Sequence, residues 1–487
     1  MNAILILFLK IINFILKICG RHGGNLIGKW AQKFNPDILK YFKIDCPVIA
    51  VTATNGKTST NNLIAYTLEN AGFKVVSNKE GNNMETGIMS CLIKNSTIFG
   101  KVKADYITFE VDENYVPMIF SQLKLDTLIV LNFFRDQLDR NEGVDTLVNK
   151  INEFLKTYNG NLILNGNDPN VVKLANANKK NKNIYYYGVD KYNNSTEKIE
   201  EAGDGRYCPI CGSELEYDYY QYSHIGKFTC PKCDFGNNEL YKNAKNIDLK
   251  EKTFEVDGIK YRINENSIYA IYNHMAVLSL MNLYNIDQEI IIKSFEEFEF
   301  KHGRLETIEI NGNKTTFNLA KNPTGGNVSL KLLEEDENEK ELLFAVNDKK
   351  ADGIDISWIW DINFEKIVDK NVTKIIVSGD RAYDLAIRFK IAGFENEKII
   401  PIKDYEEAVN ELYKTNTRKF IIANYTALQP IRTLAIKKWS FLGRAKKGSL
   451  ENKNNEGEMY ERDKNIISLF WYIRIIWGSF KYWYIKI

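Results

Sequence analysis

The sequence predicts an α/β fold in two parts: a larger first domain carrying a small cysteine-bearing insert, and a smaller second α/β domain. Three observations carry this. From Cys46 onward, short apolar runs (CPVIAV, ADYITFEV, LDTLIVLN, NLILN) alternate with helix-length amphipathic segments, the pattern of a largely parallel sheet covered by helices. The same alternation resumes after residue 306 with ELLFAV, TKIIVSGD, EKIIPI and RKFIIAN. Between them the texture turns to Asn, Glu, Tyr and Gly and holds two CPxC pairs.

Composition limits the function classes. With 65 Lys+Arg against 63 Asp+Glu the net charge is +2, too small for nucleic-acid binding through bulk charge, so no nucleic-acid partner is expected. At 44% hydrophobic and 26% charged the chain is globular, and at about 150 residues per domain its length implies two or three domains. Seven cysteines in 487 residues, four of them paired as CPxC, argue against a disulfide-stapled secreted protein and for a reducing, cytoplasmic compartment. The boundaries read as an N-terminal helical segment (1–45), a central domain (46–302) with its insert at about 203–240, a C-terminal domain (303–437) and a basic, aromatic tail (438–487).

The N-terminal segment, MNAILILFLKIINFILKICG, is interrupted by Lys10 and Lys17, so its uncharged run is far short of the roughly 18 residues of a membrane span. Residues 4–19 read as a helix that docks on the domain or rests on a membrane surface, docking being preferred.

The strand–loop–helix at 48–72, VIAVTATNGKTSTNNLIAYTLENAG, carries the first chemistry. Backbone N–H groups of such a loop face phosphate oxygens, and the helix N-terminus adds its positive dipole end. Thr54, Asn55, Gly56, Lys57, Thr58 and Ser59 are the candidate nucleotide-binding residues, with Lys57 neutralising phosphate charge and the Thr58 hydroxyl ligating Mg²⁺. The strand ADYITFEVDE ends in Glu110, Asp112 and Glu113, at the carboxyl edge where open α/β sheets bind ligands. Glu110, closing an apolar run, is the candidate Mg²⁺ ligand, whereas Asp112 and Glu113 read equally as solvated loop acids. Asn132, Asp136, Gln137 and Asp139 follow the next strand and converge on the same edge, Asp136 doubling as a candidate helix cap.

These residues resemble the ATP-dependent Mur ligases of peptidoglycan synthesis. ATNGKT is similar to that family's GTNGKT, with Ala53 in place of Gly and a slightly tighter turn expected. NFFRDQLD resembles N-x-x-x-D-H-L-D, with Gln137 at the position of a metal-associated His. IYNHMAVLS (271–279) is similar to the adenine-contacting motif, where Asn273 matches and Ala270 replaces a second Asn. HGRLE (302–306) resembles the interdomain linker, and the resemblance implies that Arg304 contacts phosphate.

Two features narrow the resemblance. Only about 50 residues precede the loop, too few for a UDP-binding domain. Cys208-x₂-Cys211 and Cys230-x₂-Cys233, separated by residues 212–229, have the spacing of a zinc ribbon, four thiolates closing one tetrahedral Zn²⁺ in a structural role. His224 between them reads as a surface residue. With LAKNPTGGN, NDKKADGIDISWIWD, SGDRAYDLAIRFKIAG and IIANYTALQPIR, the chain resembles over residues 1–435 the MurT branch, the synthetase subunits of lipid II isoglutaminyl synthase.

The resemblance implies a fold and a reaction. The fold would be a Mur-ligase-type phosphate-loop domain with an inserted Cys₄ zinc ribbon, followed by a smaller MurT-type α/β domain. The reaction would be amidation of the D-glutamate α-carboxyl of the lipid II stem peptide through an acyl phosphate, with ATP, Mg²⁺ and Zn²⁺, at the cytoplasmic face of the membrane. The non-ribbon cysteines, in KICGR, IDCPV and MSCLI, sit in no glutaminase nucleophile turn, so ammonia is expected from a GatD-like glutaminase partner. Among Asp352, Asp355 and Asp361 of the C-terminal domain, Asp355 is the candidate catalytic carboxylate for ammonia, beside Lys57 and Glu110, and a turn cap is its structural alternative. Asn322 and Thr324 read as substrate contacts or turn formers. The tail reads as an interfacial helix giving peripheral membrane contact, a partner-packed helix, or sequence past the usual end of the chain. Other readings are an amino-acid-adding ligase on a related precursor such as pseudomurein, or a non-catalytic ATP-binding module.

Overall fold

The computed structural model describes residues 2–18, 24–78, 82–134, 143–198, 205–299 and 306–445, without side chains beyond residue 437. The strands run β1 (Val48–Thr52), β2 (Val75–Ser77), β3 (Tyr106–Glu110), β4 (Thr127–Val130), β5 (Asn161–Asn165), β6 (Ile184–Val189), β7 (Glu216–Tyr222), β8 (Ile225–Thr229), β9 (Leu240–Asp248), β10 (Thr253–Val256) and β11 (Ile259–Arg262) in the first domain. The second domain holds β12 (Glu306–Ile310), β13 (Asn313–Leu319), β14 (Lys340–Ala345), β15 (Val372–Ser378), β16 (Ile399–Pro401) and β17 (Arg418–Ala423).

The first sheet has the order β11-β10-β9-β6-β5-β4-β1-β3-β2 among the described residues. Strand β1 is buried along its whole length, as its unbroken apolar run requires of a central parallel strand. It pairs in parallel with β3 on one side and β4 on the other. The chain moves outward to β2 and β3 and then crosses to β4, β5 and β6, so the strand order reverses beside β1. Such a switch point leaves a crevice at the carboxyl ends of the strands. Helices Lys57–Asn70 and Ile268–Leu283 pack one face through Leu63, Ile64, Met275 and Leu278, and helices Asn2–Ile18, Glu85–Asn95 and Val144–Leu155 cover the other.

Beyond β6 lies a part of the sheet that the Asn-, Glu-, Tyr- and Gly-rich texture did not mark as regular structure. The central sheet resumes at Leu240: β9 pairs in parallel with β6, and β10 and β11 follow antiparallel. The physical reason is composition. LYKNAKNID is exposed or half-buried at every position except Ala244, so it carries no apolar run to mark it as a strand.

The second sheet has the order β12-β13-β17-β14-β15-β16 among the described residues, parallel throughout except for β12 against β13. Its own switch point lies between β14 and β17. Helix Pro323–Glu334 starts directly after β13, with Pro323 in its first turn and Asn322 as its cap, the Asn322 side chain accepting from the Gly325 N–H at 2.8 Å.

His274, in the middle of helix Ile268–Leu283, is 1% exposed and meets Phe295 edge-on. Its Nδ1 lies 2.7 Å from the Ala270 carbonyl. Burial pushes its pKa down to about 4, the Ala270 contact opposing this in part. The folded state thus binds the proton later than the unfolded chain, whose histidine titrates near 6.5. Stability is full above about pH 6.5 and falls as pH drops toward 4, by up to about 3 kcal/mol from this group. Replacing His274→Leu is expected to flatten the stability–pH curve in that window, as read by urea unfolding at pH 4.5 and pH 7.

Candidate active site

Strand β1 delivers residues 53–56 to the switch point, where helix Lys57–Asn70 begins. The left-handed turn falls at Gly56, with φ +90°, and Ala53 is not among the positive-φ residues; the tighter turn expected around its Cβ is therefore not needed. A Cβ at Gly56 would lie 2.6 Å from the Asn273 Oδ1, so both conformation and close approach demand glycine there. The loop after β4 braces this turn. The Asn55 N–H donates to Asn132 Oδ1 at 2.9 Å, Asn132 Nδ2 donates back to the Asn55 carbonyl at 3.0 Å, and the Phe134 N–H donates to the Thr54 hydroxyl at 3.0 Å.

Lys57 is only 7% exposed. Its ammonium donates to the Ala53 carbonyl and, at 3.0 Å, to Glu113 Oε2. Burial pulls its pKa down, but Glu113, Asp112 and Glu110 outweigh this and hold it above the ordinary value, so it stays charged. Glu113 is itself buried against Lys57, which corrects its reading as a solvated acid. The signal for it was the run of three acids at one strand end, and the contact that singles it out spans 56 residues of sequence.

Glu110 is buried at the end of β3, its backbone fixed by a reciprocal pair of bonds with the Asn78 side chain at 2.8 and 2.9 Å. Oε1 accepts from Asn83 at 3.3 Å, whereas Oε2 is buried with no hydrogen-bond partner among the described residues. The Thr58 Oγ1 is in the same condition. Buried oxygens are ordinarily satisfied, and a carboxylate with a hydroxyl is a donor set suited to a small, hard divalent cation.

Thr54, Asn55, Gly56, Lys57, Ser59, Glu110, Asp112, Asn132 and Asn273 line one cavity together with Asn318, Lys321, Thr324 and Gly325 of the second domain. Asn322 crosses between the domains, its Nδ2 donating to Asn55 Oδ1 at 3.4 Å. Arg304, Asp136, Gln137 and Asp139 lie outside the described residues. Asp355 does not line the cavity; its Oδ1 accepts from the Ser357 N–H at 2.8 Å, as a turn aspartate does. The buried carboxylate of that segment is Asp352, which accepts from the N–H and hydroxyl of Thr426. Burial holds Asp352 above the ordinary carboxylate range, with Thr426 opposing.

The four ribbon sulfurs all lie within 4.8 Å of one another, with Cys208 to Cys233 at 3.6 Å and Cys211 to Cys230 at 3.4 Å. These distances are too long for disulfides and suit a shared metal ion. The hairpin β7–β8 runs from this cluster to a tip that is inserted into the first domain. His224, at the tip, is 1% exposed, not a surface residue: its Nε2 lies 3.3 Å from Asp168 Oδ1 and its ring 4.8 Å from that of Phe134. Asp168 Oδ2 accepts from the Phe133 N–H at 2.9 Å, beside the Asn132 that braces the phosphate loop. Tyr222 packs on Tyr269 at 4.2 Å, and both line the cavity. The insert is therefore one wall of the site, a role the cysteine spacing did not reveal.

A buried lysine at a strand–loop–helix switch point, faced by a second α/β domain, defines a Mur-ligase-like fold. Residues 51–231 match the Mur ligase middle domain, and residues 319–428 match the MurT ligase C-terminal domain. Among solved structures, a pseudomurein peptide ligase type C from Methanothermus fervidus superposes with a TM-score of 0.63 at 20% identity, covering 82% of this chain and 80% of that one, a likeness of fold. The chain is 33% identical to the lipid II isoglutaminyl synthase (glutamine-hydrolyzing) subunit MurT of Staphylococcus aureus strain COL, over 85% of this chain and 92% of the relative. It is 30% identical to the same subunit of Streptococcus pneumoniae R6, over 87% and 94%. The chain belongs to the MurT family.

Two outcomes follow from the geometry. Gly56→Ala is expected to weaken ATP binding at least about tenfold, through strain at positive φ and collision with Asn273, as measured by calorimetric titration. For a Cys₄ cluster loaded with metal, chelation is expected to weaken ATP binding roughly three- to tenfold by loosening the hairpin tip. Tyr222→Ala should reproduce most of that loss with metal retained, and chelation should then add little.

Proposed function

We propose that this chain is the ATP-dependent synthetase subunit of a lipid II isoglutaminyl synthase, a carbon–nitrogen ligase that converts the D-glutamate α-carboxyl of the stem peptide to an amide. The observation that carries the reading is the buried Lys57 lining, with Glu110, a cavity shared with a MurT-type C-terminal domain; Glu110 Oε2 and the Oγ1 of Thr58, next in sequence to Lys57, are buried without hydrogen-bond partners among the described residues.

A carboxylate is a poor acyl donor because its leaving group is an oxide. An acceptor carboxylate oxygen attacks the γ-phosphorus of ATP, forming an acyl phosphate, a mixed anhydride, as the bond to the β-phosphate oxygen breaks and ADP leaves. Ammonia then adds its lone pair to the acyl carbon, a proton passes from nitrogen to water, and the C–O bond to phosphorus-bound oxygen breaks, inorganic phosphate leaving with its electron pair. Thr54, Asn55, Gly56 and Ser59 line the phosphate end, and Lys57 offsets charge on the transferring group. Thr58 and Glu110 would hold Mg²⁺, which when bound screens the phosphate oxygens. By the family resemblance Asn273 would contact the base, and Arg304, outside the described residues, would contact phosphate. Cys208, Cys211, Cys230 and Cys233 hold Zn²⁺: four thiolates at metal–sulfur distances of about 2.3 Å place sulfurs about 3.8 Å apart in a tetrahedron, close to the spacings found.

Ammonia comes from a GatD-like glutaminase. Supporting this, the MurT relatives are named as subunits of glutamine-hydrolysing enzymes. Of the described cysteines outside the ribbon, Cys91 is buried and Cys46 is held above its usual pKa chiefly by burial, the reverse of an activated nucleophile. Asp355, away from the phosphate loop, would receive ammonia at its point of entry and not act on the phosphoryl group.

The test is mass spectrometry of lipid II or a soluble stem-peptide analogue incubated with the protein, ATP, Mg²⁺ and ammonium chloride. The expected result is an acid-to-amide conversion with matching ADP, reduced at least about 100-fold in Lys57→Ala. Addition of an amino acid in place of ammonia would transfer the assignment to an amino-acid-adding ligase, and nucleotide binding without acceptor-dependent ADP release would reduce it to a binding module.

A further inference from the structure

The helix Asn2–Ile18 has two apolar faces. Leu5, Ile6, Leu9 and Ile12 are buried against the first domain, where helices Leu26–Phe34 and Glu85–Asn95 receive them. Ile4, Leu7, Ile11, Phe14 and Ile18, at alternating spacings of three and four, are 45–71% exposed along the outer side, one continuous stripe on a helix surface. A docked helix needs only its inner face. Leaving five large apolar side chains in a row against water is unusual for a protein surface.

Charge indicates what covers the stripe. Residues 1–36 include Lys10, Lys17, Arg21, Lys29 and Lys33 and no Asp or Glu, in a chain whose net charge is only +2. The Asn35 side chain donates to that of Asn2 at 3.0 Å, so helix Leu26–Phe34 runs back along helix Asn2–Ile18. Lys33 and Lys29 therefore lie toward the beginning of the stripe and Lys17 at its end; all three are exposed. Lys10 donates to the Lys94 carbonyl at 3.3 Å and helps fix the helix to the domain. A second copy of the chain meeting along this stripe would bring like-charged ends together, since the nearest acid in sequence, Asp37, is already paired with Lys40 at 2.9 Å. No described helix is long and apolar enough to cross a membrane, and this one has half its circumference committed to protein.

We propose that the outer face of helix Asn2–Ile18 is a peripheral docking surface for an anionic phospholipid bilayer, with Ile4, Leu7, Ile11, Phe14 and Ile18 entering the headgroup boundary and Lys17, Lys29 and Lys33 meeting lipid phosphates. The proposal deepens the amidation reading, on which it rests only for a lipid-linked acceptor. The same helix packs on Glu85–Asn95, which follows directly from Asn83, a residue lining the cavity; membrane surface and site are thus joined through one helix.

The test sediments the full chain, and a variant combining Leu7→Ser, Ile11→Ser and Phe14→Ser, with vesicles of phosphatidylcholine alone or mixed with phosphatidylglycerol. The native chain should bind anionic vesicles and bind neutral ones roughly tenfold less. The variant should lose anionic binding by about tenfold or more, with an unchanged thermal unfolding midpoint because the substituted side chains are exposed. No binding by the native chain, or equal binding by the variant, overturns the proposal. A lipid-free dimer that the variant renders monomeric also overturns it and gives the stripe to a second copy. Amide formation on the soluble stem-peptide analogue, followed in the same preparations, should not differ between the two proteins. Amidation without vesicle binding rejects the membrane surface alone, whereas vesicle binding without amidation rejects the ligase reading alone.

Discussion

One buried ammonium organises the site. Lys57 is almost entirely removed from water, and a charge in that position persists only where compensating charge is built around it. The compensation comes from the end of β3 and the turn after it, and it arrives because β1 and β3 pair in parallel with Val51 opposite Glu110. The register of two central strands thus sets the electrostatics of the loop. Gly56, which permits the turn, and Asn132, which braces it, serve the same placement. At rest the ammonium is shared by Glu113 and the loop carbonyl at Ala53, so an incoming phosphate exchanges partners with a group that is already charged and oriented, at little reorganisation cost.

The insert extends this arrangement instead of decorating it. A two-stranded hairpin is marginal by itself, and β7–β8 is held at both ends: the four thiols gather its open end, and its tip is buried. At the tip the Gly226 N–H donates to the Asn167 carbonyl at 2.9 Å and Asn167 Nδ2 returns a bond to the Gly226 carbonyl at 3.1 Å. A contiguous path then runs from His224 through Asp168 to the Phe133 N–H and the Asn132–Asn55 pair. Cysteine cluster and phosphate loop are thus joined through packed groups of the described residues.

How much of this could be read from the amino-acid order depends on the range of each interaction. The strand, the loop with its glycine, the following helix and the cysteine knuckles are local patterns, and they were legible. Glu113, His224 and Asp168 acquire their roles from partners about 55 residues away or more in sequence, where neither spacing nor periodicity carries information. For Asp355 the local reading left turn cap and functional carboxylate side by side; its bond to Ser357 belongs to the turn, while burial falls on Asp352. Strands β9 to β11 were missed for a different reason, since polar edge strands lack the apolar alternation by which strands are recognised.

The two domains meet in a way that favours an anion between them. The N-terminus of helix Lys57–Asn70 opens onto the cavity from the first domain, and that of helix Pro323–Glu334 opens onto it from the second, with Thr324 and Gly325 in its lining. Each carries the partial positive charge of its unsatisfied N–H groups. Two such ends facing each other repel weakly when nothing lies between them and converge when a phosphate does. The contact Asn322 makes with Asn55, at 3.4 Å, is a long hydrogen bond, too weak to hold the domains alone. An anion bound between these two helix ends would therefore strengthen the contact between the domains. A coupling of that kind would give the second α/β domain a part in phosphate binding although the strand–loop–helix itself lies wholly within the first.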